Sequence, residues 1–572
     1  MRDATFFTRP VPDWQRRYEA LRAAFVERQP DRVVAERFGY SPSYVSLLKH
    51  KFRHGKIDLA EPVMEGRANR HKVDSRARQL ICDYRQKNLA AGDIAELLSE
   101  DGYDLSVRTV ERVLAEEGFP KLARRTRLKI GRTVKGAQVP ERSRQISLTE
   151  LEGKTIDSAA AGVFLFAPFL SQLGFDAIVK EAGLPGNKHL SALNYTLSVL
   201  ALKLLGEERY AHVTDHSFDS GLGLFAGLNL LPKCTALSTY SYSLDQEHIL
   251  KLQEEFVKNA LKLRFYEQSI VNLDFHTAPH FGDESVLEEH WAGARGKRMK
   301  GALSLFAQDA MSKLILYTAA DIKRSESDRQ VLDFLKYWQE MPFKKDPTFI
   351  FDSKFTSYAN LKELDLEGVK FITLRRRGQR LVEDASKLEP WQRIKIEHDK
   401  RKYPNPLVHD STVEIRSYDG ILRQVVLTGN GREKPTFLIS NDFETPVELL
   451  VGNYARRWRV ENSIAEAVKF FHLNALSSPI LIKIHFDLAL TMIADTLYYR
   501  LAQHLRHFES CDAGKLYRQF IEGQGQINVQ DGKIVVSYPK RAHNPVLRAV
   551  KWENLPSRIP WLGNASLEFK FR

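Results

Sequence analysis

Apolar residues recur at three- and four-residue spacing through two stretches near the N-terminus, the pattern of helices that bury one face. Residues 14–54 are predicted helical. Within them "PDRVVAERFGYSPSYVSLLKHKFR" predicts a helix, a tight turn at Gly39 and a second helix, with Asp31 and Ser41 as caps and Pro42 in the first turn. Ala35, Val45 and Leu48 would hold this pair together, leaving Ser43, Tyr44, Ser46 and Lys49 facing outwards. A second stretch, "DSRARQLICDYRQKNLAAGDIAELLSEDGYDLSVRTVERVLAEEGF", repeats the plan: Asp93 caps "IAELLSE", "DGYD" turns, and Ser106 caps "VRTVERVLAEEG", which ends at Gly118. Residues 150–268 also read as mostly helical, with no motif that carries chemistry.

From residue 269 the period changes to two, in short apolar runs. "SIVNLDF" (269–275), "KGALSLFAQD" (300–309) and "KLILYTAADI" (313–322) predict three strands. A helix capped by Ser327, a strand "PTFIFD" (347–352), a helix "SYANLKELDLEG" and a strand "VKFITLRRR" follow. The resulting order, β-β-β-α-β-α-β, resembles that of a ribonuclease H-like sheet, and each N-terminal helix pair resembles a helix-turn-helix, whose second helix enters a major groove. The expected architecture is an α+β multidomain chain. It has all-α helix-turn-helix units at 1–60 and 70–120 (Arg108 on the second recognition helix), a basic linker at 121–149 and a helical domain at 150–268. A mixed α/β core at 269–377 and 441–480 is interrupted by a β-rich insertion at 378–440. A helical C-terminal region at 481–572 carries a hairpin turned at Asp531-Gly532.

Charge narrows the partner. The chain of 572 residues carries a net +13, an excess that points towards a polyanion such as nucleic acid. Much of it is concentrated in 121–145, where Lys121, Arg124, Arg125, Arg127, Lys129, Arg132, Lys135, Arg142 and Arg144 stand against one acid, Glu141. This segment reads as a solvated linker or as an arm along DNA phosphates. Cys82, Cys234 and Cys511 are far apart and form no CxxC, which argues against disulfides and thiolate metal sites and fits a reducing cytoplasm. The most apolar run, "AAAGVFLFAPFL", is too short to span a bilayer and is expected to be buried core, so no membrane partner is expected.

The candidate chemistry lies in three carboxylates. Asp274 is placed at or near the end of the first strand, and Asp352 ends the fourth, which lies beside it in a sheet of this order. Glu461 arrives after the insertion on the helix predicted from "YARRWRVENSIAEAVKF" (454–470). Three carboxylates from two strands and a helix suit Mg²⁺ or Mn²⁺, two ions of which would activate a water or 3′-hydroxyl and stabilise the leaving oxygen of a phosphodiester. Arg456, Arg457 and Arg459 would hold phosphates beside them, and Arg375, Arg376 and Arg377 would extend that cradle.

With these residues in view, the chain resembles a DD(E) transposase of a bacterial insertion sequence, in the branch with a strand-rich insertion before the catalytic glutamate. That branch carries a Tyr-Arg-Glu-Lys signature; Tyr454, Arg457 and Glu461 match it, whereas the lysine position is Val468, with Lys469 next to it. "DFHTAPHFG", "FDSKFTS" and "ENSIAEAVKFFHLNALSS" extend the resemblance across 269–480. It implies metal-dependent cleavage and strand transfer by Asp274, Asp352 and Glu461 with two Mg²⁺ or Mn²⁺ ions, and DNA contacts from Tyr454 and Lys469. It further implies double-stranded DNA partners (terminal inverted repeats and target), a homodimer or higher oligomer on DNA, and a cytoplasmic, nucleoid-associated location in a bacterium. The alternatives are a non-catalytic DNA-binding regulator descended from such an enzyme, and a metal-dependent endonuclease without strand transfer.

Overall fold

The computed structural model describes residues 13–57, 73–86, 89, 91–119, 141–280, 287–292, 296–320, 322–355, 357–396, 403–475 and 481–572. Arg124, Arg125 and Arg127 of the basic segment lie outside the described residues. The chain divides into two compact units, Met1–Gln138 and Val139–Arg572.

The first unit holds two helical triplets, each with its own core. Helices α1 (Asp13–Phe25), α2 (Asp31–Phe38) and α3 (Pro42–Arg53) close around Leu21, Val34, Phe38, Val45 and Leu48. Gly39 ends α2 in the left-handed region at φ 71°, where a side chain would be strained. Ser41 then caps α3, its hydroxyl accepting from the Tyr44 N–H at 3.2 Å. Asp31 does not cap α2: Pro30 fills the cap position, and Asp31 sits in the first turn, ion-paired with Lys49. Lys49, expected to face outwards, is therefore half-buried and engaged within the triplet, and Tyr44 packs against its core; Ser43 is exposed.

Helices α4 (Ser75–Gln86), α5 (Ala91–Glu100) and α6 (Val107–Glu116) form the second triplet around Ile81, Ile94, Leu98, Val110, Val113 and Leu114. The hydroxyl of Ser106 caps α6, accepting from the Thr109 N–H at 3.3 Å. Asp93 is no cap, because α5 begins two residues earlier; it lies within the first turn, where a carboxylate suits the helix dipole.

The second unit opens with strand β1 (Thr155–Ser158) and a helical region that includes α7 (Ala192–Leu204) and α8 (Gln246–Lys262). The run Ala161–Leu170 is buried, as its apolarity predicts. Ten described strands then build one mixed sheet: β2 (Ile270–Pro279), β3 (Glu289–Ala292), β4 (Lys297–Asp309), β5 (Ile315–Ala319), β6 (Thr348–Phe351), β7 (Phe371–Leu374), β8 (Gln392–Arg393), β9 (Leu407–Ile415), β10 (Gly420–Thr428) and β11 (Thr436–Ser440). Their spatial order is β3-β4-β2-β6-β7-β11-β10-β9-β8, with β5 on β4. The five strands read from the sequence thus lie in the order 3-2-1-4-5, with β6 parallel to β2 and β7 parallel to β6. The insertion does not form a separate sheet. Its last strand, β11, pairs antiparallel with β7, so β8 to β11 extend the core sheet.

Other expectations shift locally. Strand β3 was not legible, and β2 runs five residues past Asp274 (279 − 274) because the long β4 pairs with it to Pro279. The helix α9 (Gln330–Gln339) has Arg329 at its cap position, and the Ser327 hydroxyl instead donates to the Arg324 carbonyl. Helix α10 is Tyr358–Leu366. The single helix predicted over 454–470 is two, α11 (Val447–Arg456) and α12 (Trp458–Phe470), broken at Arg457, whose N–H bonds the Tyr454 carbonyl at i−3.

The 24-residue α13 (Leu481–His504) packs on β5, α7 and α8 and is mostly buried. A small sheet of β12 (Gly525–Gln530), β13 (Lys533–Tyr538), β14 (Arg558–Ile559) and β15 (Ala565–Phe571) takes in β1, tying the end of the chain to the start of this unit. Asp531 and Gly532 both have positive φ, as a tight hairpin turn requires. Among the described residues no single helix is long and apolar enough to cross a membrane; one bent pair, Ala161–Leu173 with Phe175–Glu181, passes on length and composition alone.

Candidate active site

The core strands place two aspartates side by side. β2 and β6 run parallel with Leu273 opposite Phe351, so the next residues, Asp274 and Asp352, continue the register on the same face. Asp274 is a carboxylate inside an otherwise apolar central strand, 9% exposed, accepting from the Phe275 N–H at 2.9 Å. It lies mid-strand, not at the strand end. Asp352 is half-buried and accepts from the Lys354 N–H at 2.8 Å.

Arg457, at the junction of α11 and α12, reaches these acids. Its Nη1 lies 3.1 Å from Asp274 Oδ2, and its Nη2 donates to Glu461 Oε1 at 2.7 Å, one turn along α12. The Arg457 side chain is 14% exposed and that of Glu461 53%. Nη1 has the distance of an ion pair but not the alignment of a hydrogen bond. Burial, foremost, pushes the Asp274 carboxyl up to about 6; Arg457 pulls it down, while Asp352 and Glu461 push it further up. Burial opposes the Arg457 charge too, but Asp274, then Tyr454, Glu461 and Asp352, outweigh it and raise its pKa above the ordinary value. Burial likewise pushes the Tyr454 phenol up to about 12, and its ring lies 6.0 Å from the Arg457 guanidinium.

The donor set suits a hard divalent cation in kind, since every candidate ligand is a carboxylate oxygen. In placement the expected metal centre is not formed. Among the described residues no three Asp, Glu, His or Cys side chains converge on one ion, and a guanidinium stands between Asp274 and Glu461.

The other expected cations divide. Arg376 is exposed and donates from Nε to the Ser353 carbonyl at 3.2 Å, beside Asp352. Arg375 is engaged with Gln424 of β10 at 2.5 Å and Arg377 with the Pro435 carbonyl at 3.4 Å, so both brace the insertion. Arg459 does not join the carboxylates. Two residues are about 200° around a helix, and Arg459 instead lines a cavity of about 470 Å³ with Lys313, Glu466, Asp495 and Asp512. Burial, then the like charge of Arg456, lowers the Arg459 pKa. Val468 packs against the main core, while Lys469 is exposed near Glu466. In unit one, Arg108 is exposed.

Three further side chains support this arrangement. Gln308 of β4 is fully buried and donates from Nε2 to Ser463 Oγ at 2.6 Å and to the Lys313 carbonyl at 2.7 Å, pinning α12 to the sheet. Lys203 of α7, also buried, donates to the Phe471 carbonyl at 3.0 Å and pairs with Asp487 at 2.8 Å, holding the far end of α12. His276, on the Asp274 face of β2, lies with Nε2 2.7 Å from Asn474 Oδ1 beyond α12. The polar Gln308 within the apolar run "GALSLFAQD" was the one visible signal.

No curated protein matches the chain. A chain of the crystal structure of the Mos1 strand transfer complex aligns at 12% identity over 64% of this chain and 79% of that one, with a TM-score of 0.13, a superposition too loose to carry an argument. Residues 267–497, which take in Asp274, Asp352 and Glu461, match the family model described as transposase DDE domain.

Proposed function

We propose that the chain is a DNA transposase that binds the ends of its mobile element and cuts and joins DNA strands with Asp274, Asp352 and Glu461. The observation that supports this most directly is the single guanidinium of Arg457 reaching both Asp274 and Glu461, with Asp352 in register beside Asp274. Chain positions 187 residues apart come together around one charge, inside the matched domain.

The three carboxylates would hold Mg²⁺ or Mn²⁺, two ions per site. When bound, such ions activate a water or 3′-hydroxyl and stabilise the leaving oxygen of a phosphodiester. The protein's own groups position the substrate. Arg376, exposed beside Asp352, and Arg457 hold backbone phosphates close to the acids. Gln308, bonded to Ser463 two residues beyond Glu461, and Lys203, bonded just past the end of α12, fix the helix and so the direction in which Glu461 points.

DNA is also held by the helical triplets, read as helix-turn-helix units, with Ser43 and Tyr44 on α3 and Arg108 on α6, and by the segment carrying Arg124, Arg125 and Arg127. The triplets are unequal. Residues 13–57 hold 10 Lys and Arg against 5 Asp and Glu, whereas residues 73–119 hold 6 against 10. Phosphate affinity therefore belongs chiefly to the first triplet. The assembly on DNA is a dimer or higher oligomer, in a bacterial cytoplasm.

The test is a gel assay with labelled duplexes carrying the DNA that flanks the gene, incubated with the protein and Mg²⁺. Cleavage at the element boundary is expected; binding without cleavage under Mg²⁺ or Mn²⁺ indicates a regulator instead, and cleavage without joined products an endonuclease.

A further inference from the structure

We propose that Arg457 is the resident counter-ion of the carboxylate site in the DNA-free chain, and that a divalent cation binds there only by displacing it. The inference rests on the reading of Asp274, Asp352 and Glu461 as the ligands of that cation.

Arg457 occupies the place between its partners. Its two terminal nitrogens contact a carboxylate each, at 3.1 Å on Asp274 and 2.7 Å on Glu461, and its side chain is 14% exposed. Asp352 adds a third negative charge in range. A Mg²⁺ ion needs carboxylate oxygens at about 2.0–2.1 Å in near-octahedral geometry. The oxygens that face the guanidinium cannot meet that demand while it stays.

The contact is also built to release. Nη1 pairs with Asp274 by charge without an aligned hydrogen bond. Glu461 is more than half exposed, so its side of the pair opens to solvent. A displaced guanidinium regains a partner if a DNA phosphate lies beside the site, since bidentate phosphate pairing replaces what the carboxylates gave. Metal and DNA then favour each other's binding by linkage.

The test is Mn²⁺ binding to the full chain without DNA, followed by the electron paramagnetic resonance signal of free Mn²⁺, on folded proteins checked by circular dichroism. Arg457→Gln is expected to tighten Mn²⁺ binding by about tenfold, the size of effect that removing one competing charge contact carries. Arg457→Lys keeps the charge but loses the two-pronged contact, and is expected to tighten it by about threefold; it decides the matter if Arg457→Gln does not fold. Asp274→Asn is expected to abolish the binding. Mn²⁺ affinity unchanged or lowered in both Arg457 variants, with loss in Asp274→Asn, overturns the inference and leaves the proposed function standing. Mn²⁺ binding indifferent to Asp274→Asn, or absent from the wild type, overturns both.

Discussion

Gln308, fully buried on β4, donates to the Ser463 hydroxyl at 2.6 Å, two residues beyond Glu461 on α12. One side chain thus ties the central sheet to the helix that carries a proposed catalytic acid. Its Oε1 has no hydrogen-bond partner, nor has either polar atom of Asn272, its neighbour across β2. Polar atoms buried this way mark a place where stability has been given up for position.

Gln308→Leu is expected to remove two hydrogen bonds, cost about 1–3 kcal/mol in denaturant unfolding, and lower cleavage by more than the stability loss explains. Ser463→Ala, which removes one bond, is expected to cost about 1 kcal/mol. A Gln308→Leu protein with normal turnover would show that α12 is oriented without this contact.

The charge of the N-terminal triplets predicts an uneven DNA interface. Lys51→Gln on α3 is expected to weaken duplex binding at all sequences and reduce the slope of log affinity against log salt by about 1. Arg108→Gln on α6 is expected to change that slope less, because its triplet carries more acids than bases. Lys49→Gln, whose ammonium already pairs with Asp31, is expected to act mainly on thermal stability. Filter binding of each full-length variant across a salt series separates the three.

Asp495 on α13 supplies a pH dependence away from the proposed ligands. Burial, then Glu466, pushes its carboxyl up to about 7. The folded chain therefore binds more protons than the unfolded chain between pH about 4 and 7. Its contribution to stability falls as pH rises through that window. Asp495→Asn is expected to gain on the order of 1 kcal/mol at pH 8 relative to pH 4, read as the change in Tm across pH. A variant whose pH profile parallels the wild type would place the carboxyl in solvent.

The strand order and the placing of Asp274 beside Asp352 were legible because both rest on local runs: "IVNLDF" and "FIFD" are short, apolar and end in or near an acid. What was hidden depends on partners far along the chain. The extension of β2 past Asp274 follows from the length of β4, and the merging of the insertion into the core sheet follows from β11 meeting β7. The break at Arg457 was not legible because it is local: Arg457 keeps helical angles, φ −52° and ψ −39°, and only its N–H shifts to the Tyr454 carbonyl. Asp31 looked like a cap by position, but Pro30 already supplied the extended residue a cap needs.

The most direct measurement of the central claim is strand cleavage by Glu461→Gln on a labelled element end with Mg²⁺, beside gel-shift affinity and thermal unfolding of the same protein. The near-isosteric change leaves packing in place and removes a carboxylate that Mg²⁺ prefers. The expected result is native-like folding and DNA binding with cleavage abolished. Normal cleavage by Glu461→Gln would contradict the assignment of Glu461, and unfolding would make it a structural partner of Arg457.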